Sequence, residues 1–404
     1  MTPDLFAQLL VLYMRRIRAS AAGVAAEIGI SREAVNNWRN GLSLPSPKNR
    51  NRLLDCARYL RLTEVETNRL FSAAGFELEF PLESSSSECP FSAYIEGLFE
   101  QLGNLRPYPI SLLLAQAHWG QPPFRQELLE RARALYGEQA VLHIQPPYSV
   151  STASSDYFTA IGRQCGFAGV GSDYEFESAL EQRLMAGERI FCLVSRFEQG
   201  TRELRETLAG ILRSLSEMHS GRLHLLLCGG EGLADLKYRS GDLSLLNIAQ
   251  VNHWPELGIQ DLKLIGQRRC PGQVFSQAQL ELLLALSGGH PALAEDGLQW
   301  LSDHSDTSAA DAPALSLFLA GSGRLWQAFV PITETAQGRD RLAELLKAED
   351  LGRARPYLQD NDLRRLFWSN LVTVRGEGTA ARLQWRCEVV RNAGYQVLDA
   401  CCEN

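Results

Sequence analysis

From residue 5 to residue 17 the apolar side chains Leu5, Leu9, Leu12, Tyr13 and Ile17 return every three or four positions. That period predicts an amphipathic helix, closing on the basic group Arg15, Arg16 and Arg18. Helices follow over 21–28, 32–40 and 48–60, and a fifth starts at Thr63, a capping residue with Glu66 three positions on. Gly29 supplies the reversal between the second and third, because a tight helix-to-helix turn needs a residue that tolerates positive φ. Ser31 is the N-cap candidate of the third helix. Its inner face is Ala34, Val35 and Trp38, and its outer face is Arg32, Glu33, Asn36, Asn37 and Arg39. Gly41 ends it, and Pro45 and Pro47 forbid continuation.

Beyond residue 90 the pattern changes to short apolar runs over 110–115, 140–144, 189–194 and 223–228, separated by helical periods over 125–136, 157–165, 176–186 and 201–218. Strands alternating with helices predict a mostly parallel, doubly wound sheet, which binds ligands at the carboxyl ends of its strands. Nearer the C-terminus, helical patterns over 315–326, 340–348 and 360–367 precede two β-rich runs, 371–374 and 381–387. Two stretches without periodicity read as linkers: 81–88, with four consecutive serines, and 303–313, rich in Asp, Ser, Thr and Ala. The expected domains are therefore 1–80, 89–302 and 314–404, an all-α bundle, an α/β domain and a smaller helix-and-hairpin domain.

Composition fits a folded chain: 45% of the 404 residues are hydrophobic and 22% charged. The longest apolar run near the start, 9–14, is far too short to span a bilayer, and no export signal precedes it. Nine cysteines without a C-x-x-C pair suit reduced thiols, so the expected place is the cytoplasm, with no membrane partner. A net charge of −7 argues against a nucleic-acid partner only until it is divided. Residues 1–75 hold eleven Lys and Arg against six acids, a net of +5, and the rest of the chain carries −12. A basic head on an acidic body is the asymmetry expected when one module alone touches phosphates.

Residues 24–41, from Val24 through Gly29, Ser31, Val35 and Trp38 to Gly41, followed by Pro45, resemble the Cro/phage-repressor (XRE-like) helix-turn-helix. The resemblance covers about 75 residues and implies double-stranded DNA as a partner, the second helix of the pair entering the major groove. It implies that Ser31 and the helix N-terminus hold a phosphate while Arg32, Glu33, Asn36 and Asn37 face base edges; Arg39 adds positive charge.

The middle block resembles the STAND branch of AAA-type P-loop NTPases. The resemblance rests on Cys89-Pro90-Phe91, on Phe197-Glu198 after the third strand, on Gly229-Gly230 after the fourth, on a lid-like segment from about 260, and on Gly288-Gly289-His290-Pro291. A phosphate loop there would read G-x-x-x-x-G-K-[ST], and Ala117, Pro122, Pro123 and Phe124 occupy its four required positions. Arg125 is the nearest base, two positions past the lysine, and reads as a solvated helix residue. Ser195 and Arg196 stand where an acidic pair would hold magnesium. The expectation is a degenerate, catalytically inactive module, with no catalytic, cofactor-binding or metal-binding residue and no enzyme activity. The C-terminal helices and hairpin look like a winged helix, which either contacts DNA or packs back on the NTPase-like core.

Taken together, the sequence predicts a sequence-specific DNA-binding protein, a transcriptional regulator whose middle block oligomerises or senses a partner protein. An accessory protein of a mobile element or defence system is the second reading, since the arrangement also resembles the target-selection ATPases of Mu-type transposition. An NTPase or other enzyme with an unrecognised site is the third.

Overall fold

In the computed structural model, residues 3–16, 19–60, 62, 64–76, 89–119, 124–147, 153–241, 243–304 and 311–402 are described. The linker at 81–88, the cap Thr63, most of the 303–313 linker and residues 120–123 of the expected phosphate loop lie outside them. The chain divides into two compact units, Met1–Glu88 and Cys89–Asn404. Among the described residues no helix is long and apolar enough to cross a membrane.

The smaller unit holds α1 (Pro3–Arg16), α2 (Ala21–Ile28), α3 (Arg32–Arg39), α4 (Arg50–Tyr59) and α5 (Glu64–Ala74). The buried face of α1 is Phe6, Leu10, Tyr13 and Met14, while Leu12 is 59% exposed. The expected stripe through Leu9 and Leu12 is therefore turned by about one position, because Phe6 enters the core and sets its edge on Trp38, centroids 6.3 Å apart. Val24, Ile28, Val35, Leu53 and Phe71 close the same core.

The larger unit is a mixed α/β assembly around a five-stranded parallel sheet. Its strands are β1 (Ile110–Leu114), β2 (Val141–Ile144), β3 (Ile190–Ser195), β4 (Leu223–Gly229) and β5 (Gln250–His253), in the order β2-β3-β4-β1-β5. Side-chain alternation gives each face its own core. Leu113, Phe191, Leu193 and Leu226 join the helices Ser92–Asn104 and Phe124–Tyr136 on one side. Leu112, Cys192, Val194 and Leu225 join Ser154–Gln164, Asp173–Met185 and Arg202–Met218 on the other. Burial on both faces explains why β1, β3 and β4 read as near-continuous apolar runs.

The edge strand β5 has the composition Gln-Val-Asn-His and carries no apolar signal. A buried polar ladder supplements its backbone pairing: Asn252 Nδ2 donates to Ser111 Oγ at 2.6 Å, and Ser111 Oγ donates to the Gln250 carbonyl at 3.3 Å. Three further strands, β6 (Asp350–Arg353), β7 (Val372–Arg375) and β8 (Arg382–Trp385), form an antiparallel sheet in the order β6-β8-β7. Both β5 and β6 are absent from the sequence expectation.

Candidate functional site

In the smaller unit, Ser31 caps α3: its Oγ accepts from the Ala34 N–H at 3.1 Å, satisfying one of the helix's free donors. Val35 and Trp38 point into the core. Arg32 and Glu33 are exposed, and Asn36, Asn37 and Arg39 half-buried, so all five expected contact residues sit on the helix away from its core face. The turn before α3 is fixed by Gly29, at φ 66°, and by Arg52, whose Nη1 donates to the Ile28 carbonyl at 2.6 Å.

The larger unit has a cavity of about 550 Å³ at the carboxyl ends of β1, β3 and β4. The segment after β1 brings Gln116, Ala117 and His118 to it, β3 ends there in Ser195, Arg196 and Glu198, and β4 in Gly229 and Gly230. Arg125, half-buried on the helix Phe124–Tyr136, also lines it. Neither the Arg125 nor the Arg196 guanidinium has a hydrogen-bond or ion-pair partner among the described residues. The buried Oε2 of Glu198 also lacks one.

Four non-glycine residues among those described have left-handed backbone: Phe91 (φ 62°), His118 (70°), Arg196 (60°) and Asn370 (68°). His118 and Arg196 line the cavity. Asn370 donates to the Ala117 carbonyl at 2.9 Å, and Phe91 sets its ring against Trp119, a lining residue. Such conformations cost about 1–3 kcal/mol each and persist where the surroundings over-determine them.

Beneath the cavity floor, His143 Nε2 lies 2.9 Å from Ser195 Oγ. Burial first, then the charges of Arg125 and Arg133, lower the His143 pKa to about 4 and leave the ring neutral. On β4, His224 is also lowered to about 4, chiefly by burial. A carbonyl can only accept, so His224 Nε2 donates to Gly221 O at 3.1 Å and Nδ1 accepts from Tyr136 Oη at 2.8 Å. A histidine titrating near 6.5 when unfolded and near 4 when folded makes the unfolded state the stronger proton binder between those values. Stability from this group is complete above about pH 6.5 and falls toward pH 4 by about 3 kcal/mol. Urea titrations from pH 7 to pH 4 check this, and His224→Gln is expected to flatten the dependence.

The segment that follows β1 is tied to the C-terminal sheet. Gln116 Nε2 donates to the carbonyls of Phe367 (2.6 Å) and Val372 (2.9 Å). Arg386, whose side chain is 0% exposed, donates to Gln116 Oε1 (2.9 Å), Glu256 Oε2 (2.5 Å), the Asn370 carbonyl (3.0 Å) and the Gly288 carbonyl (3.2 Å). The Gly-Gly-His-Pro element has a local explanation. Gly288 (φ 58°) ends the helix Gln277–Ser287, and His290 Nδ1 accepts from Leu293 N–H at 3.2 Å to cap the next, with Pro291 at its first position.

β3 ends in Ser195, with Arg196 after it, and no three His, Cys, Asp or Glu side chains converge among the described residues. The cations facing the cavity are guanidinium groups.

No family model matches the sequence, and neither does any curated protein. Among solved structures, the chain is similar to the Aeropyrum pernix ORC2 protein in its ADPNP-ADP complexes (14% identity, TM-score 0.39, covering 81% of this chain and 96% of that one). It is similar to Cdc6p from Pyrobaculum aerophilum (13%, TM-score 0.38, 77% and 94%) and to the Walker-type ATPase paby2304 of Pyrococcus abyssi (16%, TM-score 0.42, 78% and 99%). Two expectations are corrected against these neighbours, which are described as ADPNP-ADP complexes and as a Walker-type ATPase. They are the reading of the chain as a regulator with a catalytically inactive module, and the reading that it is no enzyme. The cavity lacks the expected lysine and acidic pair, while Arg125, Arg196 and Glu198 place other charges on its walls.

Proposed function

We propose that this chain is a DNA-binding protein whose larger unit binds a nucleotide through its phosphates. The observation that carries the nucleotide is the cavity at the strand ends, with two guanidiniums that have no partner among the described residues lining one space. Arginine forks suit phosphate oxygens, and a bond to a charged group contributes about 1.5–3 kcal/mol. Arg125→Ala and Arg196→Ala are each expected to weaken binding of a nucleoside triphosphate by about 10- to 100-fold in calorimetric titration. Unchanged affinity in both variants would end the reading.

Glu198 favours a second reading, hydrolysis. Its buried carboxylate oxygen, unpartnered among the described residues, can take the proton of a water that attacks the terminal phosphorus, as the bond to the bridging oxygen breaks and the nucleoside diphosphate and phosphate leave. Phosphate release by the wild type that Glu198→Gln does not slow would exclude it.

The DNA partner is assigned to the smaller unit, read as a helix-turn-helix made of α2, Gly29 and α3. Its support is the capped, basic outer face of α3 and the +5 charge of residues 1–75. Arg32→Ala or Asn37→Ala should cost on the order of 1–3 kcal/mol at a cognate site selected from random duplexes. Equal enrichment by the wild type and both variants would refute the reading helix. The hairpin and helices after residue 314 are read as winged-helix-like, with Gln116 and Arg386 supporting the version that packs on the core.

A further inference from the structure

Next to the strand-end cavity lies another of about 350 Å³, between the ends of β1 and β5 and the C-terminal antiparallel sheet. Its walls are aromatic, with Trp119, Trp254, Tyr357, Phe367 and Trp368 all lining it. The three indoles are held rigidly, being only 5%, 7% and 9% exposed. Arg355, exposed and without a hydrogen-bond or ion-pair partner among the described residues, stands at its edge. The two cavities adjoin: Gln116, Trp119, Trp254 and Trp368 line both.

We infer that this aromatic cavity receives the base of the nucleotide whose phosphates face Arg125 and Arg196, so that one ligand spans both spaces. The inference rests on the nucleotide reading above and adds where the heterocycle sits. A concave, mostly apolar space of this size with few polar groups is the usual form of a small-ligand site. Indole walls favour a flat π-system, since bases stack on aromatic side chains largely without regard to sequence, and a guanidinium adds a cation–π contact. Continuity with a guanidinium-lined cavity selects, among flat heterocycles, one that carries phosphates. A base seated there would touch the sheet through Trp254 and the C-terminal region through Phe367 and Trp368.

The test is calorimetric titration of the full chain with ATP, inorganic tripolyphosphate and adenosine, with tryptophan fluorescence followed in parallel. ATP is expected to bind at least about 10-fold tighter than tripolyphosphate, since stacking of one base contributes about that much or more. ATP should also quench fluorescence that tripolyphosphate leaves unchanged. Arg355→Ala, an exposed change that spares folding, and Tyr357→Leu, which removes an aromatic wall of that cavity alone, should each reduce ATP affinity several-fold and leave tripolyphosphate affinity as it was. Equal binding of ATP and tripolyphosphate would overturn the base site and leave the phosphate cavity standing. So would an ATP preference untouched by both variants, which places the base elsewhere. Binding of neither anion would instead remove the nucleotide reading itself.

Discussion

Replacing Arg386 by methionine is expected to destabilise the larger unit by about 3–5 kcal/mol, the range for leaving a buried ionic network without one partner. Methionine fills similar space, so the loss is one of donors. The carbonyl of Asn370 would stay buried and unpaired, at about 1–3 kcal/mol before relaxation, and the half-buried Gly288 carbonyl and Gln116 amide oxygen would each lose a donor. Glu256 would lose less, because its side chain is 47% exposed and water can replace the guanidinium. Burial pushes the Glu256 carboxyl up, but the charge and hydrogen bonds of Arg386, with the bond from Thr373, hold it net below the usual range. That offset should disappear in the variant. Arg386→Lys should recover only part of the stability, since one ammonium cannot reproduce a fork directed at partners on several sides. Urea denaturation of the three proteins decides the matter; a loss below about 1 kcal/mol for the methionine variant would show that these bonds do not hold the C-terminal sheet in place.

Gly288→Ala is expected to cost about 3 kcal/mol. The residue sits at φ 58°, where a side chain costs about 1–2 kcal/mol. A Cβ would also lie 2.5 Å from the Arg386 carbonyl oxygen and 2.8 Å from Cys387 Cβ, and the backbone oxygen has nowhere to swing. Gly289→Ala is the internal comparison: its φ is 74°, but the nearest atom to a Cβ there is 3.6 Å away. It should pay the conformational cost alone, about 1–2 kcal/mol. If melting showed the two variants equal, the close approach would carry no weight.

The parts of the fold that were legible in the sequence are those whose own residues determine their state. Strands β1, β3 and β4 are buried on both faces, so apolar runs mark them, and α3 is bounded by its own cap and by Gly41. β5 was missed because its place is set by pairing with β1 and by the Ser111–Asn252 bond, a contact 141 residues apart in sequence. The register of α1 was misread because Leu9 and Leu12 fit the helical period as well as Phe6 and Leu10 do, and only the position of Trp38 distinguishes them. At the cavity, comparison with a motif drew attention to absent side chains. Arg125 and Arg196 fit no motif, and their convergence follows from the strand order, which brings the ends of β1, β3 and β4 together. The aromatic cavity joins residues 114 to 383, a span over which spacing carries no signal.

The strand order also has a consequence for the newborn chain. β1 is the first strand to leave the ribosome, yet it pairs with β4 and β5 and with neither β2 nor β3. Roughly 140 residues separate it from the start of β5, so at about 5–20 residues per second its Ile-Ser-Leu-Leu-Leu segment waits some 7–30 seconds without its final neighbours. Until β4 and then β5 emerge its two edges lack their native partners, making this segment the point at which synthesis of the chain depends most on protection from aggregation.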